Sequence, residues 1–98
     1  MPQVVKMKEL IVLSLDRTRQ AVLAVLDDTL GLGGRAASFD DQTPLLGAVP
    51  ELDSMAVVGL IAALEEHFGF YVGDDDIDGS TFETVGTLTH FVASKQAA

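Results

Sequence analysis

Apolar residues return at spacings of three and four in three stretches of the chain, and each stretch predicts a helix. In the first, Val22, Val25, Leu26 and Leu30 form one stripe. Arg17, Arg19, Gln20, Asp27 and Asp28 fill much of the remaining surface. Ser14 or Asp16 is placed to cap the start, and Gly31, Gly33 and Gly34 end the helix near Thr29. The second stretch, 54–68, is apolar around most of its circumference. Leu60, Ile61, Leu64 and Phe68 make its inward stripe, Glu65 and Glu66 its acidic end, and Gly69 breaks it. Met55, Ala56, Val58, Gly59, Ala62 and Ala63 are more than a small core can bury, so some must face solvent or a partner. In the third, 85–95, Val85, Leu88, Phe91 and Val92 repeat behind an N-cap at Thr84, and Lys95 complements the far dipole end.

The segments between are as informative. Residues 31–53 form a long loop, which signals a function or a short internal helix. Phe39, Leu45, Leu46 and Val49 are its expected anchors, and Pro44 and Pro50 stiffen it. One turn of helix is expected around Ile77. Residues 1–13 read equally as a short strand, an extra helical turn or a docked tail. The organisation expected is an N-terminal extension over 1–15, one domain over 16–95 and a tail over 96–98. The fold class is all-α: an antiparallel bundle of three main helices plus one short helix, with the long loop between helices 1 and 2. Packing is expected to bury Val22, Leu26, Leu60, Leu64, Phe68 and Val92 and to leave Ser54 exposed.

Composition narrows the function. Among 98 residues, 48% are hydrophobic and 21% charged, which suits one small folded domain. There is no cysteine, so disulfides, thiolate catalysis and cysteine metal sites are excluded. The net charge of −9 repels phosphate backbones and argues against nucleic acid as a partner. No stretch is long enough to span a membrane, and the apolar run at Leu10–Leu15 is short for a secretory signal. A cytoplasmic monomer without stable membrane insertion is expected.

Most candidate chemistry fails on spacing. Asp74-x-Asp76-x-Asp78-Gly79 imitates the start of a calcium loop, but Val85 stands where the closing bidentate Glu belongs. The two histidines, His67 and His90, have no ligand partner at metal spacing, so no metal is expected. Gly31-x-Gly33-Gly34 follows a helix instead of a strand and reads as a C-cap. Ser54 lies outside any Gly-x-Ser-x-Gly elbow and has no nearby histidine, so no catalytic residue is assigned and the chain is not expected to be an enzyme. What remains is Asp53-Ser54-Met55 at the head of the most apolar helix. Either Asp53 or Ser54 can cap that helix, and an anion attached at Ser54 would sit at its positive end.

At Asp53-Ser54-Met55 the sequence resembles the acyl carrier protein family, whose Asp-Ser-Leu/Met motif carries 4′-phosphopantetheine on its serine. The resemblance covers about residues 18–93. Leu60, Leu64, Glu65, Glu66, Phe68 and Thr84-Val85 through Phe91 fall where the family pattern places them. It implies an acyl-carrier-like bundle and a role in transport without catalysis. A phosphopantetheinyl transferase would attach the arm from coenzyme A to Ser54, flanked by Asp53 and Met55. Acyl-activating and acyl-transferring enzymes would then read the helix through Leu52, Met55, Ala56, Gly59, Glu65 and Glu66. The missing cysteine fits, because the reactive sulfur belongs to the cofactor.

Three departures set this chain apart from the pattern. Leu52 replaces the glycine usual before Asp-Ser, and Gly47-Ala48-Val49-Pro50-Glu51 lengthens the loop. Ala56 and Gly59 stand where early acidic residues are usual. Residues 1–15 extend beyond the family's first helix. These differences imply a dedicated carrier of a specialised pathway, with a partner surface more apolar than usual. The alternative is an unmodified helical interaction domain of the same fold.

Overall fold

The computed structural model describes residues 7–97, with side-chain surroundings for residues 14–96. Three helices carry it: α1 (Met7–Leu30), α2 (Ser54–Phe68) and α3 (Val85–Ala97). Short 3-10 turns lie at Arg35–Ser38, Asp74–Asp76 and Gly79–Phe82. α1 packs against both α2 and α3. Their shared core holds Val22, Leu26, Leu60, Leu64, Val85, Leu88 and Val92, each no more than 1% exposed. Of the six residues expected inside, only Phe68 is half-buried; it stacks on Phe70 at 5.9 Å, at the edge of the core.

α1 starts earlier than the stripe alone implies and passes residue 15 without a break. Of the readings open for residues 7–13, the structure adopts the helical one; residues 1–6 lie outside the described residues. The sequence Met7-Lys8-Glu9-Leu10 consists of good helix formers, which favours continuation. Thr18 is buried within α1, and its hydroxyl donates to the Ser14 carbonyl at 3.0 Å and to Gln96 of α3 at 3.3 Å. The helix ends at Gly31, whose φ of +64° suits a residue without Cβ. The Leu32 N–H then returns to the Asp27 carbonyl at 3.0 Å, and Leu32 itself is buried. This is a Schellman closure with its apolar contact.

The loop 31–53 is pinned from several sides. Leu32, Ala36, Leu45, Val49 and Leu52 all enter the core. Leu46 does not; it is 44% exposed. Adjacent side chains leave an irregular segment in different directions, and Leu45 takes the inward one. The Asp27 carboxylate accepts the N–H groups of Gly34 and Ala36, at 2.9 and 3.1 Å, and so holds the first 3-10 turn against α1. Further on, Pro44 and Thr84 form an antiparallel bridge. The N–H groups of Leu45 and Leu46 donate to the Glu83 and Phe82 carbonyls.

The expected helical turn around Ile77 is absent. Two 3-10 turns flank this residue, which is itself extended at φ −125°, ψ 154°. The carboxylates decide this locally. Asp76 accepts the Gly73 N–H at 2.7 Å, and Asp78 accepts the Ser80 N–H at 2.9 Å. Each acid therefore closes its own tight turn, as short polar side chains do in turns. Ile77 between them packs on the core.

Candidate functional site

The N-termini of α2 and α3 are built differently. The orphan N–H groups of α3 are all satisfied within the protein. Thr84 N–H donates to Thr87 Oγ1, and Thr87 N–H donates back to Thr84 Oγ1 at 3.1 Å. Val85 and Gly86 donate to the loop carbonyls of Thr43 and Asp41, at 3.0 and 2.8 Å. At α2 the N-cap is Asp53, whose carboxylate accepts the Ala56 N–H at 2.8 Å. Among the described residues, the N–H groups of Ser54 and Met55 make no hydrogen bond. They are two of the four donors a helix start leaves open.

Ser54 is the first residue of α2 and is exposed. Because Asp53 performs the capping, the serine hydroxyl is not consumed by it. The result is an accessible hydroxyl beside two open N–H donors, at the positive end of a fifteen-residue helix. An anion there gains about 0.3–1 kcal/mol. Among the described residues Ser54 Oγ makes no hydrogen bond, so the hydroxyl is free to be offered to an external agent.

The approach to this turn is braced. Leu52 N–H donates to the Val49 carbonyl at 2.9 Å, and both side chains are buried. Glu51 pairs with Arg35 of the first 3-10 turn, and Arg35 Nε also donates to the Leu32 carbonyl at 3.1 Å. Asp27 holds that turn in place. A chain of contacts thus runs from the end of α1 to Glu51, two residues before Asp53. The single sequence offered no signal for this chain, since Asp27, Arg35 and Glu51 are far apart and individually ordinary.

The residues expected to meet partners divide. Met55 is 82% exposed, and Gly59 and Glu66 are also exposed. Ala56 is half-buried, and Glu65 is partly engaged, accepting the Val72 N–H at 2.8 Å. Leu52 is corrected: at 3% exposure its side chain belongs to the core and offers no surface to a partner. A leucine before Asp53 converts that position into an anchor for the loop. Val58, one of the α2 residues expected to exceed what the core can bury, is 67% exposed and lies on this face beside the residues expected to meet partners.

The acidic segment is structural. Its Gly73 N–H contact, and then Lys95 at 3.0 Å, hold the Asp76 carboxyl below the usual range. The Ser80 hydroxyl and N–H do the same for Asp78. These carboxylates are spent on turns and on Lys95, and among the described residues no group of His, Asp and Glu is arranged to hold a metal. Nor is any helix among the described residues long and apolar enough to cross a membrane.

Comparison with known proteins meets the site at this point. The family described as "Phosphopantetheine attachment site" matches residues 20–92. The fold is similar to that of a holo acyl carrier protein from Nitrosomonas europaea, solved by solution NMR. The TM-score is 0.77 and the identity 50%, covering 82% of this chain and 96% of that one. No match was found among the curated proteins. The chain belongs to the phosphopantetheine-attachment family of acyl carrier proteins. It is a carrier and not an enzyme, and its prosthetic group is a covalent 4′-phosphopantetheine.

Proposed function

We propose that Ser54 holds the 4′-phosphopantetheine arm and that the protein carries acyl or aminoacyl groups between enzymes of a specialised pathway. The arm supplies a terminal thiol on which such a group is held as a thioester. One observation carries the assignment to Ser54: its hydroxyl is exposed at the open N-terminus of α2, while Asp53 takes over the cap. Ser54 Oγ is the nucleophile toward the pyrophosphate of coenzyme A. Its proton passes to the transferase, and 3′,5′-adenosine bisphosphate departs. The N–H groups of Ser54 and Met55, unpaired among the described residues, would favour the negative charge of a phosphodiester attached there. Asp53 keeps the helix start in register, and Leu52 keeps the turn seated on the core. The partners are a phosphopantetheinyl transferase and the acyl-activating and acyl-transferring enzymes that address the arm. We place the protein in the cytoplasm as a monomer.

Intact mass after incubation with coenzyme A and a broad-specificity transferase tests this. One phosphopantetheine is expected on the wild type and none on Ser54→Ala. A mass gain that persists in Ser54→Ala places the arm elsewhere. No gain with several transferases leaves protein docking as the role of the fold.

A further inference from the structure

We infer that the enzymes which act at Ser54 grip α2 through an apolar socket laid over Met55, Val58, Gly59 and Ala62, with cationic groups only at its two ends. The inference rests on the assignment of the arm to Ser54. These four residues recur at intervals of three and four and are all exposed, Met55 at 82% and Val58 at 67%. Ser54 is one helical turn from Val58. Any enzyme whose active site reaches the Ser54 hydroxyl therefore covers the first turns of this same face.

The charge distribution identifies the occupant. From Ser54 through Leu64 there is no charged residue, although the chain carries −9 overall. Acids return only at the ends, as Asp53 before the helix and Glu66 near its close, about 20 Å apart along the axis. A partner that relied on cationic contacts along α2 would desolvate its charges against Met55 and Val58 with nothing to pair them. A partner with an apolar centre and cations about 20 Å apart finds complements at every point.

Gly59 points the same way. It is exposed in the middle of α2, and a Cβ built there meets nothing within 4 Å. Glycine is a poor choice in a helix interior compared with alanine. Nothing inside this protein calls for it. A partner surface approaching the α2 backbone closely does call for it, and the neighbouring Ala62 extends the same low step.

Initial rates of Ser54 modification by a broad transferase with coenzyme A test the inference, read as kcat/KM by intact mass. Between about 50 and 500 mM salt the rate should change by less than about threefold, since apolar docking is little screened. Val58→Glu should lower kcat/KM by about tenfold or more, through KM. Gly59→Leu should do the same while leaving thermal stability equal or higher, because leucine is the better helix former; this variant separates docking from folding. Glu66→Gln should lower the rate by about two- to fivefold, because it removes the complement of one end cation; a rate unchanged in this variant overturns the cationic end. A steep fall with salt, together with wild-type rates for Val58→Glu and Gly59→Leu, overturns the socket but leaves the Ser54 assignment standing. A concentration-dependent dimer that Val58→Glu dissolves makes a second copy the occupant and also overturns it. An unmodified wild type removes both readings.

Discussion

Arg35 and Glu51, sixteen positions apart, form an ion pair that ties the first 3-10 turn to the residue two places before Asp53. The pair is half-open to water: the Arg35 side chain is 55% exposed and that of Glu51 35%. Its strength is therefore modest, on the order of 0.2–1 kcal/mol. The second oxygen of Glu51 is buried and has no hydrogen-bond partner among the described residues. Removing the arginine leaves this carboxylate uncompensated, whereas Glu51→Gln removes the charge itself. Arg35→Gln should therefore destabilise more than Glu51→Gln, and a double-mutant cycle in urea should show coupling below about 1 kcal/mol. Equal losses without coupling would mean that the pair contributes nothing. Hydrogen exchange at 49–55 should quicken in Arg35→Gln, because the brace on the approach to Ser54 is gone.

Leu52→Ala separates an anchoring role from a recognition role. Deleting a fully buried leucine costs about 2–5 kcal/mol. That is a large share of the stability of so small a domain. The variant should show this loss in urea unfolding. At a temperature where it is still folded, its KM for the transferase should stay near wild type. A raised KM with unchanged stability would return Leu52 to the docking surface.

Gly86→Ala should destabilise the protein although it places the better helix former in α3. A Cβ at this position lies 2.8 Å from the Asp41 carbonyl oxygen, which accepts the Gly86 N–H. The obstacle is loop backbone, so the loop must move and the hydrogen bond lengthen. A net cost of about 1–3 kcal/mol is expected despite the propensity gain of about 1 kcal/mol. Urea unfolding checks the sign, and a stabilised variant would show that the loop yields freely.

The Lys95–Asp76 contact should give the 70–82 segment an acid-sensitive component. The folded-state value of Asp76 lies below its ordinary 3.8, chiefly through the Gly73 N–H and then Lys95. A depressed carboxylate contributes its stability above the unfolded value and loses it as pH falls through the folded one. The contribution is thus fully present at neutral pH and fades from about pH 3.8 downward. Asp78, lowered by Ser80, follows the same sign. Thermal unfolding followed against pH should show a smaller acid-side slope in Asp76→Asn than in wild type. An unchanged slope would remove Asp76 as a source of it.

The chain's own pattern determined the three helices, their inward stripes, the N-cap at Thr84, the glycine stop after Leu30 and the exposed serine at the head of α2. Those features follow from spacing and capping within a few neighbouring residues, which is information a single sequence carries. Tertiary structure decided the rest. Leu52 reads as surface in sequence because nothing local distinguishes an anchor from an exposed leucine; only the packing of Val49 and Leu52 under the loop makes it core. The turn expected at Ile77 gave way to two capped 3-10 turns because Asp76 and Asp78 found nearby N–H groups, and Asp76 also found Lys95 on α3. The open start of α2 became visible only by contrast with α3, whose first donors are taken by carbonyls of a loop more than forty positions earlier in the chain. Local patterns foretell which groups a helix end leaves unpaired, but which of them remain so depends on what the fold brings across to meet them.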